Sequence, residues 1–116
     1  MKFAALALAL AAALLAGCVT PPPPLYAWGG YEELIYSSYK NPGSVPPEKQ
    51  IEQLEHDYQL ARSSGRRLPP GWHLHLGTLY SQVGKGDQAL QELQTEKAQY
   101  PESSVFVDRL LANLKK

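Results

Sequence analysis

The chain has 116 residues, 44% hydrophobic and 19% charged, which is enough for one small domain and no second. Eleven basic residues balance eleven acidic ones, so no charge excess recommends nucleic acid as a partner. The single cysteine excludes an internal disulfide framework, and fold stability must come from packing.

Lys2 precedes a 14-residue apolar run, Phe3 to Ala16, which is shorter than the roughly 20 residues a membrane-spanning helix needs. The run is apolar on every face and meets a proline tract at once, so it reads as an export signal that is removed. Leu15-Ala16-Gly17-Cys18 resembles the bacterial lipobox. The resemblance implies cleavage between Gly17 and Cys18, a diacylglyceryl thioether on Cys18 and acylation of the new amino group. One acyl chain gives only marginal membrane binding, at about 0.8 kcal/mol per buried methylene, whereas several chains on one cysteine anchor stably. The expected membrane partner is therefore lipid, engaged through Cys18. Val19 stands where an Asp would signal inner-membrane retention, so the expected location is the outer membrane, facing the periplasm. Pro21 to Pro24 form an extended spacer at about 3.1 Å per residue that lifts the folded part off the bilayer.

The segment "LYAWGGYEELIYSSYKNPG" carries five aromatic residues, Tyr26, Trp28, Tyr31, Tyr36 and Tyr39. Gly29-Gly30 divides it into an aromatic lead-in and a short helix over 31–40, ended by Asn41-Pro42-Gly43. Residues 47–64 predict a longer helix. Pro47 suits its first turn, Glu48 its positive end and Arg62 its negative end, with Gly65 as terminator. Ile51, Leu54, Tyr58 and Ala61 recur as one buried stripe. Pro69-Pro70-Gly71 then redirects the chain, and a new element begins at Trp72.

From Trp72 to Tyr100, two helices flank Val83 to Asp87, with Asp87 placed to cap the second. Pro101 closes the pair, and Ser103 or Ser104 caps a last helix in which Phe106, Val107, Leu110, Leu111 and Leu114 share a side. The expected organisation is a leader at 1–17, then a lipidated cysteine, proline spacer and aromatic lead-in at 18–30, then a helical domain at 31–116. The fold class is all-α, a short helical-hairpin domain of about four helices.

Leu76, Gly77, Tyr80, Gly84, Ala89, Leu93 and Pro101 fall at the offsets of a tetratricopeptide repeat (TPR), and the hairpin resembles one. Small Gly77 and Ala89 let helix axes approach, while Tyr80 and Leu93 fill the space between. Two positions depart from the pattern. His73 stands where a large apolar residue is common, and Glu96 where the repeat has a small one. A hairpin cannot bury its apolar face alone, so the helices at 47–64 and 103–115 must supply the rest of the core.

The pieces "LYAWGGYEELIYSSY", "PPGWHLHLGTLYSQVG" and "EKAQYPESSVFVDRLL" are similar to domain-of-unknown-function family 4810, small bacterial lipoproteins. The resemblance implies an envelope assembly with a curli-secretion-channel-like lipoprotein and a second small lipoprotein as partners. It implies no enzyme activity and no cofactor.

Chemistry-bearing sets are sparse. His73 and His75 point about 200° apart on a helix and cannot share a metal ion. No Ser or Cys stands with a His and an acid in a nucleophile motif, and Gly84-Lys85-Gly86 is a turn rather than a phosphate cradle. Neither a catalytic nor a metal site is expected. Two binding surfaces are. The first is Tyr26, Trp28 and Tyr31, rigid aromatic groups just after the spacer. The second is Leu74, Thr78 and Ser81, which repeat geometry places on the concave side. The expected function is an outer-membrane-anchored adaptor binding envelope proteins. The alternatives are a pilotin-like assembly factor or a periplasmic protein binding a peptide or small ligand through the aromatic segment.

Overall fold

The structure, a computed structural model, describes residues 1–15, 17 and 20–115. Cys18, with its expected acylation and half of the cleavage site, lies outside the described residues, as does Val19. Helix α1 (Lys2–Leu15) spans the apolar run, and its described side chains are exposed. Among the described residues no helix is long and apolar enough to cross a membrane.

Beyond the proline tract the fold is all-α. It comprises α2 (Tyr31–Lys40), α3 (Pro47–Ser64), α4 (Trp72–Gln82), α5 (Gly86–Gln99), a single 3-10 turn (Pro101–Ser103) and α6 (Ser104–Leu114). Among the described residues these are the helical segments that the residues predict one by one, five against the expected total of about four; Asn41 to Pro46 separates α2 from α3, and each carries its own first-turn acids. Helix α3 ends as its sequence demands. Gly65 takes φ 65°, and the amides of Gly65 and Arg66 turn back onto the carbonyls of Arg62 and Ala61.

Helices α4 and α5 form the central antiparallel pair. A Cβ on Gly77 would stand 3.1 Å from Leu93 Cγ and 3.2 Å from the Ala89 carbonyl oxygen, so a glycine sets how closely the two helices pack. Leu54, Trp72, Leu76, Leu79, Tyr80, Ala89 and Leu93 are buried around this contact. Helix α6 covers α5 with Val107, which is fully buried, and with an ion pair from Lys97 to Asp108 at 2.6 Å. Phe106 does not share the buried side expected for it and is half exposed. Tyr58 likewise leaves the predicted stripe. It lies at the rim, 36% exposed, and stacks on Trp72 with ring centroids 6.1 Å apart.

Two expected caps are corrected. Helix α5 begins at Gly86 without a side-chain cap, so Asp87 sits inside its first turn and serves only the dipole. Ser103 spends its hydroxyl on the Tyr100 carbonyl (2.7 Å) within the 3-10 turn, and α6 likewise has no side-chain cap.

The helix starts that do receive a carboxylate receive it from another helix. Gly71, at φ 90°, precedes α4 and has no side chain to offer; its N–H donates to Glu96 Oε1 of α5 at 2.7 Å. Gly30, just before α2, donates its N–H to Asp57 Oδ2 of α3 at 2.8 Å. Such a carboxylate satisfies an orphan amide and faces the positive end of the helix dipole. The positive φ of Gly71 and Gly29 favours glycine at both sites. A Cβ on Gly29 would fall 2.7 Å from Asp57 Cγ, and one on Gly30 would collide with Gln53.

Glu96 is 1% exposed, and among the described residues its second oxygen has no hydrogen-bond partner. Removing a charged acceptor from a buried amide at a helix start costs roughly 2–3 kcal/mol. Glu96→Ala is therefore expected to lower the melting temperature by about 10 °C. Glu96→Gln, which keeps an acceptor, should fall between the two. Thermal unfolding followed by circular dichroism measures both, and an unchanged midpoint for Glu96→Ala would contradict the borrowed cap.

Candidate functional site

The aromatic lead-in is fastened at three points. Tyr26 pairs with Arg67 in an isolated parallel bridge, the Ala27 amide donates to the Arg67 carbonyl at 2.8 Å, and Gly30 is held by Asp57. The 66–71 loop is fixed from its other side, where the Tyr100 hydroxyl donates to the Leu68 carbonyl. A chain of rings runs outward from there. Tyr100 meets Tyr26 edge-on at 6.4 Å, Tyr26 meets Trp28 edge-on at 6.1 Å, and Trp28 stacks on Tyr31 at 6.4 Å. Offset and edge-to-face pairs of this kind add to what burial alone contributes.

This fastening divides the expected binding residues. Tyr26 and Tyr31 are half-buried, whereas Trp28 is 38% exposed. The Tyr31 hydroxyl reaches to 2.9 Å from where a Cβ on Gly71 would stand. Burial, and secondarily the Glu96 carboxylate, hold that phenol above its ordinary pKa. Tyr31 thus joins the outer face to the buried centre.

Outward, Trp28 and Tyr31 meet Glu32, Ile35, Tyr36 and Tyr39 of α2 around an open hollow of about 500 Å³. Tyr36 is 56% exposed and Tyr39 88%. Ile35, Tyr36 and Tyr39 belong to this face and were absent from the sequence-derived set. Their helical spacing was the available signal, with Tyr31, Ile35 and Tyr39 four apart and Tyr36 three before Tyr39.

The second expected surface is not a single groove. Leu74 and Thr78 are half-buried and Ser81 is exposed. The Thr78 hydroxyl turns back onto the carbonyls of Leu74 and His75 at 3.1 and 2.7 Å. Thr78 and Ser81 line a hollow against Leu110, Asn113 and Leu114 of α6, and Leu74 lies outside it.

A third feature escaped sequence reasoning. The His73 position that departs from the repeat pattern is buried, and its Nδ1 lies 2.6 Å from Glu92 Oε2. One turn further along α5, Glu96 takes Gly71. Both departures are thus polar ties between the start of α4 and α5. On the α3 side, the Tyr80 hydroxyl donates to Glu55 Oε1 at 2.6 Å. Glu55, Tyr58, Trp72, His73, Tyr80 and Glu92 share a cleft of about 420 Å³. Among the described residues no cluster of His, Cys, Asp and Glu could hold a metal ion.

His75 faces Tyr31 edge-on at 6.2 Å, with its Nε2 3.2 Å from Gln50 Oε1. Burial lowers its pKa below the ordinary 6.5. Between the lowered folded value and 6.5 the unfolded chain binds more protons, so this histidine makes stability fall as pH drops below about 6.5. His75→Gln is expected to flatten the decline of chemical-denaturation stability between about pH 7 and pH 5. A slope identical to that of the parent chain would contradict the assignment.

Among known families, residues 25–110 match the one described as a domain of unknown function, DUF4810. No curated protein and no solved structure matches the chain. The matched span runs from the aromatic lead-in through α5 into α6, taking in both Gly30 and Gly71 with their borrowed carboxylates, and the chain belongs to the DUF4810 family.

Proposed function

We propose that this chain is a lipid-anchored adaptor of the bacterial outer membrane that presents the α2 face to a neighbouring envelope protein. The observation that carries the reading is the aromatic surface of Trp28, Ile35, Tyr36 and Tyr39, exposed a few residues after the proline spacer. Tyrosine and tryptophan supply large, stiff contact area with a polar tip, and contiguous exposed apolar surface of this kind marks interaction sites. Lys40 stands 5.5 Å over the Tyr36 ring and gives the patch a charged edge.

The anchor in this reading is Cys18, acylated after cleavage behind Gly17. The spacer of four prolines and the lead-in, fixed at Tyr26 and Gly30, then hold the face at a set height above the bilayer. The partner in this reading is the curli-secretion-channel-like lipoprotein that the family resemblance implies, with the second small lipoprotein beside it. We read α4 and α5 as a TPR-like pair, supported by the close approach at Gly77. In that role the pair is the rigid body on which the face is mounted.

Two experiments test the reading. Cys18→Ala is expected to move the protein from the membrane fraction to the soluble periplasm, and intact-mass measurement of the natural protein should show a triacylated amino-terminal cysteine. Membrane retention of the variant, or an unmodified thiol, would contradict the anchor. A photocrosslinker at Tyr39 in intact cells is expected to capture the channel-like lipoprotein. Combined Trp28→Ala and Tyr36→Ala changes, probed from that site, should cut capture at least tenfold without shifting the melting temperature by more than a few degrees. Crosslinks to lipid alone would remove the protein-binding role.

A further inference from the structure

Helix α2 carries two rows of side chains that read alike from either end. Tyr31, Ile35 and Tyr39 form one row and Glu32, Tyr36 and Lys40 the next, both at steps of four residues, so the rows lie side by side on one face. Reversed end for end, the first row is unchanged. The second keeps its central ring and exchanges an acid for a base. Glu32, Ile35, Tyr36, Tyr39 and Lys40 are all exposed, while Leu34 turns into the core.

The end charges of the second row are unpaired. Glu32 and Lys40 lie about 12 Å apart along the helix, more than two turns, so they cannot pair with each other. Among the described residues neither forms an ion pair with any other group. Lys40 instead lies over the Tyr36 ring at 5.5 Å, which keeps its charge on this face. Both rows line the open hollow together with Trp28.

A surface that covers a copy of itself about a two-fold axis must be complementary to its own reverse. These rows meet that condition. An axis crossing α2 between Ile35 and Tyr36 sets Ile35 beside Ile35 of the other copy, Tyr36 beside Tyr36, and Tyr31 against Tyr39. The same axis sets Glu32 of each copy against Lys40 of the other, once at each end. A parallel pairing would gather both acids at one end and both bases at the other.

We propose that α2 pairs antiparallel with α2 of a second copy of this chain. The pairing rests on the reading of α2 as an interaction face and adds a regulation of that face, because a client must displace the second copy to reach the same rings. A ten-residue helix offers a contact about 15 Å long, at the small end of specific interfaces. Copies tethered to one membrane meet at a raised effective concentration, which suits a contact of that size.

The test uses the purified full chain in mild detergent with no client present. Ile35→Cys and Lys40→Cys are oxidised briefly, and peptide mapping separates their links from any through Cys18, the one natural cysteine. Ile35→Cys is expected to link through residue 35 about tenfold more than Lys40→Cys links through residue 40, because the two copies of position 40 stand at least about 12 Å apart and a disulfide spans roughly 7 Å between Cα atoms. In analytical ultracentrifugation Glu32→Lys and Lys40→Glu are each expected to shift the dimer toward monomer. An equal mixture of the two should recover it, since each reversed charge then meets its opposite. Circular dichroism checks helicity, and should a charge reversal unfold α2, the cysteine comparison decides. The proposal is overturned if Ile35→Cys links no more than Lys40→Cys, or if the mixture associates no better than either reversed chain alone. A monomeric chain that still captures a client in cells would overturn the pairing alone, and a paired chain that captures nothing would overturn the adaptor reading alone.

Discussion

The fold depends on helix starts that borrow their negative charge from elsewhere in the chain. Helices α2 and α4 each begin after a glycine that has no side chain to cap with, and Asp57 and Glu96 reach in from α3 and α5 to take the part-buried amides that no helical carbonyl can serve. Each contact does two jobs. It satisfies a backbone donor that burial would leave without water, and it fixes the relative position of two helices that no disulfide can join. In a domain this small the hydrophobic core is modest, so polar ties that specify one arrangement weigh heavily.

The same constraint sorts the aromatic residues. Because Gly29 and Gly30 let the backbone lie against Asp57, and because Tyr26 pairs with Arg67, the lead-in cannot roll over to bury both of its sides. Tyr26 and Tyr31 turn toward Tyr100 and His75. Trp28 stays with the outer residues of α2, and the chain exposes rings that a freer segment would bury. The glycines permit the cap, the cap orients the segment, and the orientation leaves the aromatic face of α2 exposed.

Much of the architecture is legible in the residues. The bounds 31–40 and 47–64 follow from proline, glycine and end charges, because those signals act within one or two turns of the chain. The pairing of α4 with α5 is equally readable through Gly77 and Ala89. What escapes is whatever joins distant positions. Asp87 and Ser103 sit where a local rule puts a cap, yet both ends go without a side-chain cap, while Glu96 and Asp57 act across 25 and 27 residues. His73 and Glu96 read as blemishes in a repeat pattern because that pattern encodes packing size only, and their role is polar. Cys18 is the opposite case, a residue whose proposed role rests on the sequence motif around it.

Amide hydrogen exchange at Gly71 tests the central claim most directly. If Glu96 caps α4, the Gly71 amide, in a loop by backbone shape, should exchange as slowly as the amides in the middle of α4, opening only when the whole domain unfolds. Exchange at the rate of an exposed loop amide, while the middle of α4 stays protected, would show that the helix start is held by something else.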